Sequence, residues 1–357
     1  MRLGHAVLAV LVVLVACQHP PAAHAAGKPV AAAVSTKAAA ESGYRRRIIS
    51  DSGYDVTPLS AAEVARLAKG LSADQRRVLL AAGTEPPFCG GHLDNKKPGI
   101  YVSALGGLPL FRSSAKFESG TGWPSFFEPF DPQHIVERRD DSGGMERVEI
   151  LDARSGGHLG HVFDDGPRPT GRRYCLNSAA LVFVPDGQPL PPDSRPANLK
   201  KAYFAGGCFW GVEDLMQRVP GVVEATSGYM GGRTQRPGYR EVSSGETGHA
   251  ESVEVVYDAD KVTYRHLLEV LFARIDPTTL NRQGPDAGTQ YRSAVFAVDA
   301  EQRQTAQTFL RELGRQPRFA GQRIVTTVEQ AGPFWSAEAY HQNYHETHGG
   351  SCEQIVD

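Results

Sequence analysis

The run Gly206, Gly207, Cys208, Phe209, Trp210 holds the residues best suited to chemistry in this chain. It joins an apolar strand, Ala202 to Phe204, to a stretch whose Val212, Leu215, Met216 and Val219 recur at helical spacing. Cys208 therefore falls at a helix N-terminus. There the unpaired amides and the positive end of the macrodipole stabilise a thiolate, and the two glycines leave room for a substrate to reach the sulfur. A buried, inert cysteine beside aromatics fits the same residues, and the segment by itself does not choose between the two. A second cluster, His158, Leu159, Gly160, His161, together with Cys89 and Cys175, has the composition of a four-ligand zinc set.

Positioning such groups takes folded domains, and 357 residues with 41% hydrophobic content suffice for two, each with its own core. The formal net charge of -2, with both signs interspersed, excludes an electrostatic basis for binding nucleic acid or an anionic membrane surface. Residues 1–26 read as an export signal, with Arg2 as the positive end and an apolar stretch from Ala6 to Val15 too short to span a bilayer. Leu14, Val15, Ala16 and Cys17 match a bacterial lipobox, which would make Cys17 a lipidation site and the protein an envelope-anchored lipoprotein. Ala23, His24 and Ala25 offer a plain cleavage site instead, giving a periplasmic protein. On either reading no transmembrane helix is expected in the mature chain, and only the lipobox reading gives it a lipid anchor.

Residues 27–43, rich in alanine, form a tether. The first domain, 44–184, opens with a helix over Ser60 to Leu71 and a second started by a capping box of Ser72 and Gln75. It then turns to short segments broken by glycine and proline, including Val148 to Leu151 and Leu181 to Val184, which read as a mostly-β antiparallel fold. Residues 185–199 hold five prolines and form a stiff linker. The last block, 200–357, alternates strands and helices: Val253, Val255 and Tyr257 follow strand spacing, while Tyr264, Leu267, Leu268, Leu271 and Ala306, Phe309, Leu310, Leu313 follow helical spacing. It is expected to be an α+β domain with a mixed sheet.

Gly206 to Gly211 resembles the active-site motif of methionine sulfoxide reductase A. The likeness continues at Gly248 to Glu251, through Asn281 to Ser293, and at His341 to Tyr344, which together cover nearly the whole block in the family's order. The resemblance implies that Cys208 attacks the sulfoxide sulfur, with Phe209 and Trp210 as the wall receiving the methyl group. It makes Glu251 the proton donor if burial raises its pKa, Tyr239 and Tyr291 the phenols on the sulfoxide oxygen, and Asp286 a polar neighbour of the substrate backbone. His249 precedes Glu251 on a probable strand, faces the other way and reads as structural. Oxygen left on Cys208 as a sulfenic acid must be cleared by a second thiol, and Cys352, on a tail behind Gly349 and Gly350, is the other cysteine of this block.

Ser119 to Phe126, His158 to Phe163 and Arg173 to Ser178 are similar to methionine sulfoxide reductase B. By that likeness Cys175 is the nucleophile, Arg173 the cation favouring its thiolate, Trp123 the methyl wall, and His158, His161 and Asn177 the polar groups around the oxygen. Many members carry two Cys-x-x-Cys pairs for structural zinc, but around Ser103 to Gly106 and Arg154 to Gly157 this chain has no cysteine, so no metal is expected. The usual resolving position holds Thr121, which leaves Cys89 as the partner of Cys175, either as a catalytic pair or as a permanent disulfide.

The resemblances imply S-epimer reduction by the second domain and R-epimer reduction by the first, acting on free or protein-bound methionine sulfoxide. They imply recharging by an external reductant of thioredoxin type, without organic cofactor or metal. The contrasting expectation is an exported, lipid-anchored binding protein whose cysteines are structural; it predicts no turnover.

Overall fold

The computed structural model describes residues 46–349, so the leader, Cys17, the 27–43 stretch and Cys352 lie outside the described residues. Ser72 and Gln75 close their capping box, with Gln75 N donating to Ser72 Oγ and Ser72 N donating to Gln75 Oε1. This starts α2 (Ala73–Leu79), and Ser60 with Glu63 starts α1 (Ala61–Ala68) in the same way. Helix α1 is shorter than its apolar spacing suggests, since Gly70 closes its last turn and leaves Leu71 to pack from the loop.

Nine strands follow: β1 (Gly99–Ser103), β2 (Pro109–Arg112), β3 (Lys116–Phe117), β4 (Ser125–Phe126), β5 (Ile135–Asp140), β6 (Arg147–Asp152), β7 (His158–Phe163), β8 (Arg173–Leu176) and β9 (Leu181–Pro185). They form a six-stranded sheet ordered β3-β4-β8-β7-β6-β5 and a three-stranded sheet β2-β1-β9, every pairing antiparallel. The expected antiparallel domain is thus two sheets. Tyr101, Phe111 and Phe126 interlock within the core, with ring centroids 4.7 to 5.1 Å apart across the Phe126 contacts.

The second block contains β10 (Leu199–Ala205), α3 (Phe209–Gln217), β11 (Val222–Met230), α4 (Tyr239–Ser243), β12 (Ala250–Asp258), α5 (Tyr264–Phe272), the hairpin β13 (Arg282–Gln283) and β14 (Asp286–Ala287), β15 (Ala294–Ala297), α6 (Ala300–Leu313), β16 (Thr327–Gln330), β17 (Trp335–Ser336) and α7 (Tyr344–His348). Its sheet runs β16-β15-β10-β12-β11-β17, with β15 and β16 parallel and the others antiparallel. The mixed sheet expected from the alternation of helix and strand is present. Leu267, Leu268 and Leu271 of α5 and Ala306, Phe309 and Leu313 of α6 bury the helical faces read from the sequence.

The proline-rich stretch is largely exposed but pinned at several points. Ser194 is fully buried, Ala197 N donates to Gly53 O, and Asn198 N donates to Asp258 Oδ1. Buried Arg154 gathers three carbonyls that are far apart in sequence: Nε donates to Asp55 O at 2.7 Å, and Nη1 donates to Gly106 O at 2.7 Å and Asp193 O at 2.8 Å. By the reductase B resemblance, the Ser103 to Gly106 and Arg154 to Gly157 stretches that this guanidinium joins are where zinc thiolates would stand. A fixed cation in that place repels a metal ion, so the region does not fit zinc.

Candidate active sites

In the second domain the chain leaves β10 through Gly206 and Gly207 and enters α3 with Cys208 as the N-cap residue. Gly207 takes φ +88°, a conformation that a side chain would strain, which is why the turn needs glycine. Cys208 is half-buried at the positive end of a nine-residue helix. Glu251, on β12 opposite Tyr229, is 3% exposed and accepts a hydrogen bond from Phe209 N at 3.0 Å. One amide thus ties the carboxyl to the residue beside the cysteine. Burial pushes the Glu251 carboxyl up to about 7, against the opposing pull of that amide and with help from the charge of Asp286.

Tyr239 starts α4 and Tyr291 ends a short helical turn, Thr289–Tyr291. Burial holds the Tyr291 hydroxyl at about 12, and the charges of Glu251, Asp286 and Cys208 add to the effect. Burial likewise raises Tyr239, where Glu251 and Cys208 are again felt. Burial also raises the Asp286 carboxyl. Two neutral phenols, a carboxyl that retains its proton near neutrality and a thiol therefore converge.

Trp210 donates from Nε1 to His341 Nδ1 at 3.1 Å and stacks on Tyr344 with ring centroids 3.7 Å apart. Phe209 is a core residue, 1% exposed, so of the two expected wall residues Trp210 is the one partly open to solvent. His249 is buried and bonds Gly232 N and Thr234 O, in keeping with a structural role. Glu338, which sequence reasoning missed, accepts from Tyr239 N and Tyr229 OH, both at 3.0 Å, and so fixes the start of α4. Glu213 was also missed; it is buried and accepts from Ser227 Oγ and from Asn343 N.

In the first domain Cys175 sits on β8 with Ser125 of β4 on one side and His161 of β7 on the other. His158 and His161, three residues apart on one strand, would ordinarily face opposite ways. A β-bulge in β7 leaves Leu159 unpaired opposite the Ile150–Leu151 step of β6, and the two imidazole ring centroids come within 5.4 Å. Gly160 at the bulge lies so close to β8 that an added Cβ would stand 2.1 Å from Cys175 O and 2.9 Å from Leu176 Cα. Gly160→Ala is therefore expected to force β7 and β8 apart, costing the first domain about 3 kcal/mol or more. Urea unfolding would measure the loss. Alkylation of Cys175 should change while that of Cys208 does not, and an unaltered first-domain transition would refute the packing argument.

His158 Nδ1 bonds Glu149 Oε1 at 2.7 Å, and its buried Nε2 has no hydrogen-bond partner among the described residues. Burial lowers the His158 pKa, although Glu149 opposes this, so His158 rests neutral at neutral pH. His161 Nε2 bonds Asp140 Oδ2 at 2.8 Å. Cys175 differs from expectation. Burial pushes its thiol above the ordinary cysteine value, outweighing the Thr121 hydroxyl 3.9 Å away and the Arg173 charge, so the resting sulfur is protonated. Arg173 spends much of its charge on Asp165, through two hydrogen bonds of 2.8 and 2.9 Å.

Asn177 proves to be a joint of the scaffold: Oδ1 accepts from Glu85 N at 2.9 Å and Nδ2 donates to Leu159 O at 3.1 Å. Trp123 Nε1 donates to Glu85 O at 3.0 Å, and the Glu85 carboxylate caps Ser178 N and Ala179 N. This clasp holds the Cys89 loop beside the cysteine strand, and Phe88 N donates to Gly122 O next to Thr121. Cys89 is exposed and is not joined to Cys175 by a disulfide. The zinc set of His158, His161, Cys89 and Cys175 does not assemble, and among the described residues no group of three or more His, Cys, Asp or Glu is placed to hold a metal. Cys352 lies outside the described residues.

Residues 200–357 match the family model described as peptide methionine sulfoxide reductase, and residues 71–185 match that of the SelR domain. The peptide methionine sulfoxide reductase MsrB of Caulobacter vibrioides is 56% identical over 143 residues, 40% of this chain and 90% of that protein. The peptide methionine sulfoxide reductase MsrA of Deinococcus radiodurans is 45% identical over 193 residues, 54% of this chain and 92% of its own length. Among solved structures, methionine sulfoxide reductase A of Corynebacterium diphtheriae is 38% identical, with 46% of this chain and 79% of that one covered at a TM-score of 0.41.

Proposed function

Because the chain belongs to the SelR family through residues 71–185 and to the peptide methionine sulfoxide reductase family through residues 200–357, it reduces methionine sulfoxide, and we propose that its two sites divide the work by sulfoxide chirality. The second domain takes the S epimer and the first the R epimer. The convergence of a thiol, a buried carboxyl of raised pKa and two phenols around Cys208 carries the reductase chemistry, and the family likeness supports the division by epimer.

In the second domain the Cys208 thiolate attacks sulfur while Tyr239 and Tyr291 donate hydrogen bonds to the oxygen and Glu251 supplies a proton. The methyl group lies against Trp210, with Asp286 beside the substrate backbone. Methionine departs and the oxygen stays on Cys208 as sulfenic acid. The Cys352 thiol then displaces water and forms a disulfide.

In the first domain Cys175 performs the same attack against Trp123, with His158 and His161 facing the oxygen. Its resting proton must leave as the attack proceeds, and the neutral His158 Nε2 is a base of suitable type. The Arg173 charge stabilises the emerging thiolate, Asn177 holds the strand ends, and Cys89 resolves the sulfenic acid.

The chain has no Cys-x-x-Cys pair of its own, so both disulfides are reopened by an external dithiol of thioredoxin type. The leader makes this an exported, periplasmic or Cys17-anchored enzyme, acting on oxidised proteins or free methionine sulfoxide. Purified chain given dithiothreitol and separated S and R sulfoxide peptides should consume both. Omitting the reductant should leave Cys208–Cys352 and Cys175–Cys89 disulfides that peptide mapping detects. Survival of either epimer would overturn the division of labour, and any other pairing would overturn the resolving roles.

A further inference from the structure

The chain has four methionines: Met1, Met145, Met216 and Met230. Met216 and Met230 are fully enclosed, each within a packed apolar cluster, whereas Met145 is 60% exposed. Oxidation of a thioether needs access to the sulfur lone pair, and a sulfoxide formed inside a core would set a polar oxygen among apolar neighbours. Met145 is therefore the methionine, among the described residues, that an oxidant can reach without unfolding the protein.

Its setting is that of a substrate. Met145 follows Gly144 in the β5–β6 connection and takes an extended backbone, φ −125° and ψ 142°. The hairpin beneath it is tied by Arg147 Nη2 to Asp140 Oδ2 at 2.7 Å and by Arg139 to Asp141 and Glu146. A thioether on an extended segment that projects from a braced hairpin can enter a cleft without melting its own domain.

That cleft cannot be the Cys175 site of the same copy. Glu149 pairs with His161, and His161 pairs with Cys175, which places Cys175 two strands away from β6 at the level of Glu149. Strand spacing of about 4.8 Å and a rise of about 3.3 Å per residue separate Met145 from Cys175 by about 16 Å, well beyond the reach of a methionine side chain.

We propose that Met145 is an oxidation site of this protein and that its sulfoxide, in both epimers, is repaired by the protein's own active sites, the Cys175 site acting from another copy of the chain. The inference rests on the reductase reading above. In the oxidation, the sulfur attacks the O–O bond of a peroxide, takes one oxygen and releases water. In the repair, that oxygen leaves as water while two thiols on the repairing copy become a disulfide, which an external dithiol reopens. Oxidation at sulfur yields both hands, so complete repair needs both domains.

The test uses full-length Cys175→Ser/Cys208→Ser protein as substrate, treated with hydrogen peroxide and freed of it. Tryptic mapping should find the 16 Da gain at Met145 at least about tenfold more often than at Met216 or Met230. Catalytic amounts of Met145→Leu protein with dithiothreitol should remove it at a rate proportional to the enzyme added. The same enzyme carrying Cys175→Ser or Cys208→Ser should leave one epimer behind. A sulfoxide peptide in the same tube separates the two readings. If that peptide is reduced while oxidised Met145 persists, or if Met145 resists peroxide as the enclosed methionines do, self-repair is wrong; if the peptide also survives, the reductase reading falls with it.

Discussion

Serine at Cys208 should abolish reduction of the S sulfoxide while leaving R reduction within about twofold, and serine at Cys175 should do the reverse. An alcohol is far less ionised than a thiol and a poorer nucleophile towards sulfur, so each silenced site should lose at least about three orders of magnitude in turnover. The folded protein should tolerate both changes. Serine is a favoured N-cap residue, so α3 keeps its start, and at position 175 the hydroxyl finds Thr121 and Ser125 within the polar surroundings of the present thiol. Independence of the two losses follows from the architecture, because the cysteines belong to different sheets built on separate core clusters. Chiral separation of residual sulfoxide in a racemic assay reads the outcome. A single substitution that removed activity on both epimers would mean that one cysteine serves both, and the two-site proposal would be lost.

Features set by neighbours in sequence were legible in it. The capping box at Ser72 needs two residues three apart, the β12 alternation needs a period of two, and the strand-to-helix turn at Cys208 needs the glycines that precede it. The role of Glu251 came from the family resemblance and required that burial raise its carboxyl, as it does. What the sequence concealed are partners brought together by the fold. Glu338 meets Tyr229 across 109 positions and Glu85 caps Ser178 across 93, with no periodicity to announce either. The shared face of His158 and His161 depends on a bulge within β7, so strict alternation along that strand puts them on opposite sides. The protonation of Cys175 was misjudged for a related reason: the Arg173 charge is visible in sequence, whereas the burial that outweighs it, and the Asp165 carboxylate that takes up much of it, are not. Arg154 is the clearest case. Nothing beside it in sequence announces its burial, which comes about because three separate segments supply carbonyls for it.

Glu251→Gln should lower S-epimer turnover by about 10²- to 10⁴-fold, the usual range for a lost general acid, and should at the same time make the protein more stable in alkali. Both effects come from one proton. With its carboxyl held at about 7, Glu251 is acid-competent at and below neutrality, so wild-type S-epimer turnover should fall as pH rises through 7. Glutamine keeps an oxygen for the Phe209 amide but has no proton to give, so this falling limb should vanish along with the rate. For stability, the folded-state pKa lies above the ordinary glutamate value of 4.5, so between 4.5 and about 7 the native protein binds more protons than the unfolded chain. The contribution of the bound proton is complete below 4.5 and is lost as pH rises through 7, a difference of about 3 kcal/mol in all. Glutamine never ionises and escapes this loss, so the melting temperature of the variant should exceed that of wild type at pH 8 and approach it at pH 5. Parallel pH–rate and pH–melting profiles of the two proteins make the check. A variant that lost activity without gaining alkaline stability would show that Glu251 is ionised in the resting site, and the proton transferred to oxygen would then have to come from a phenol.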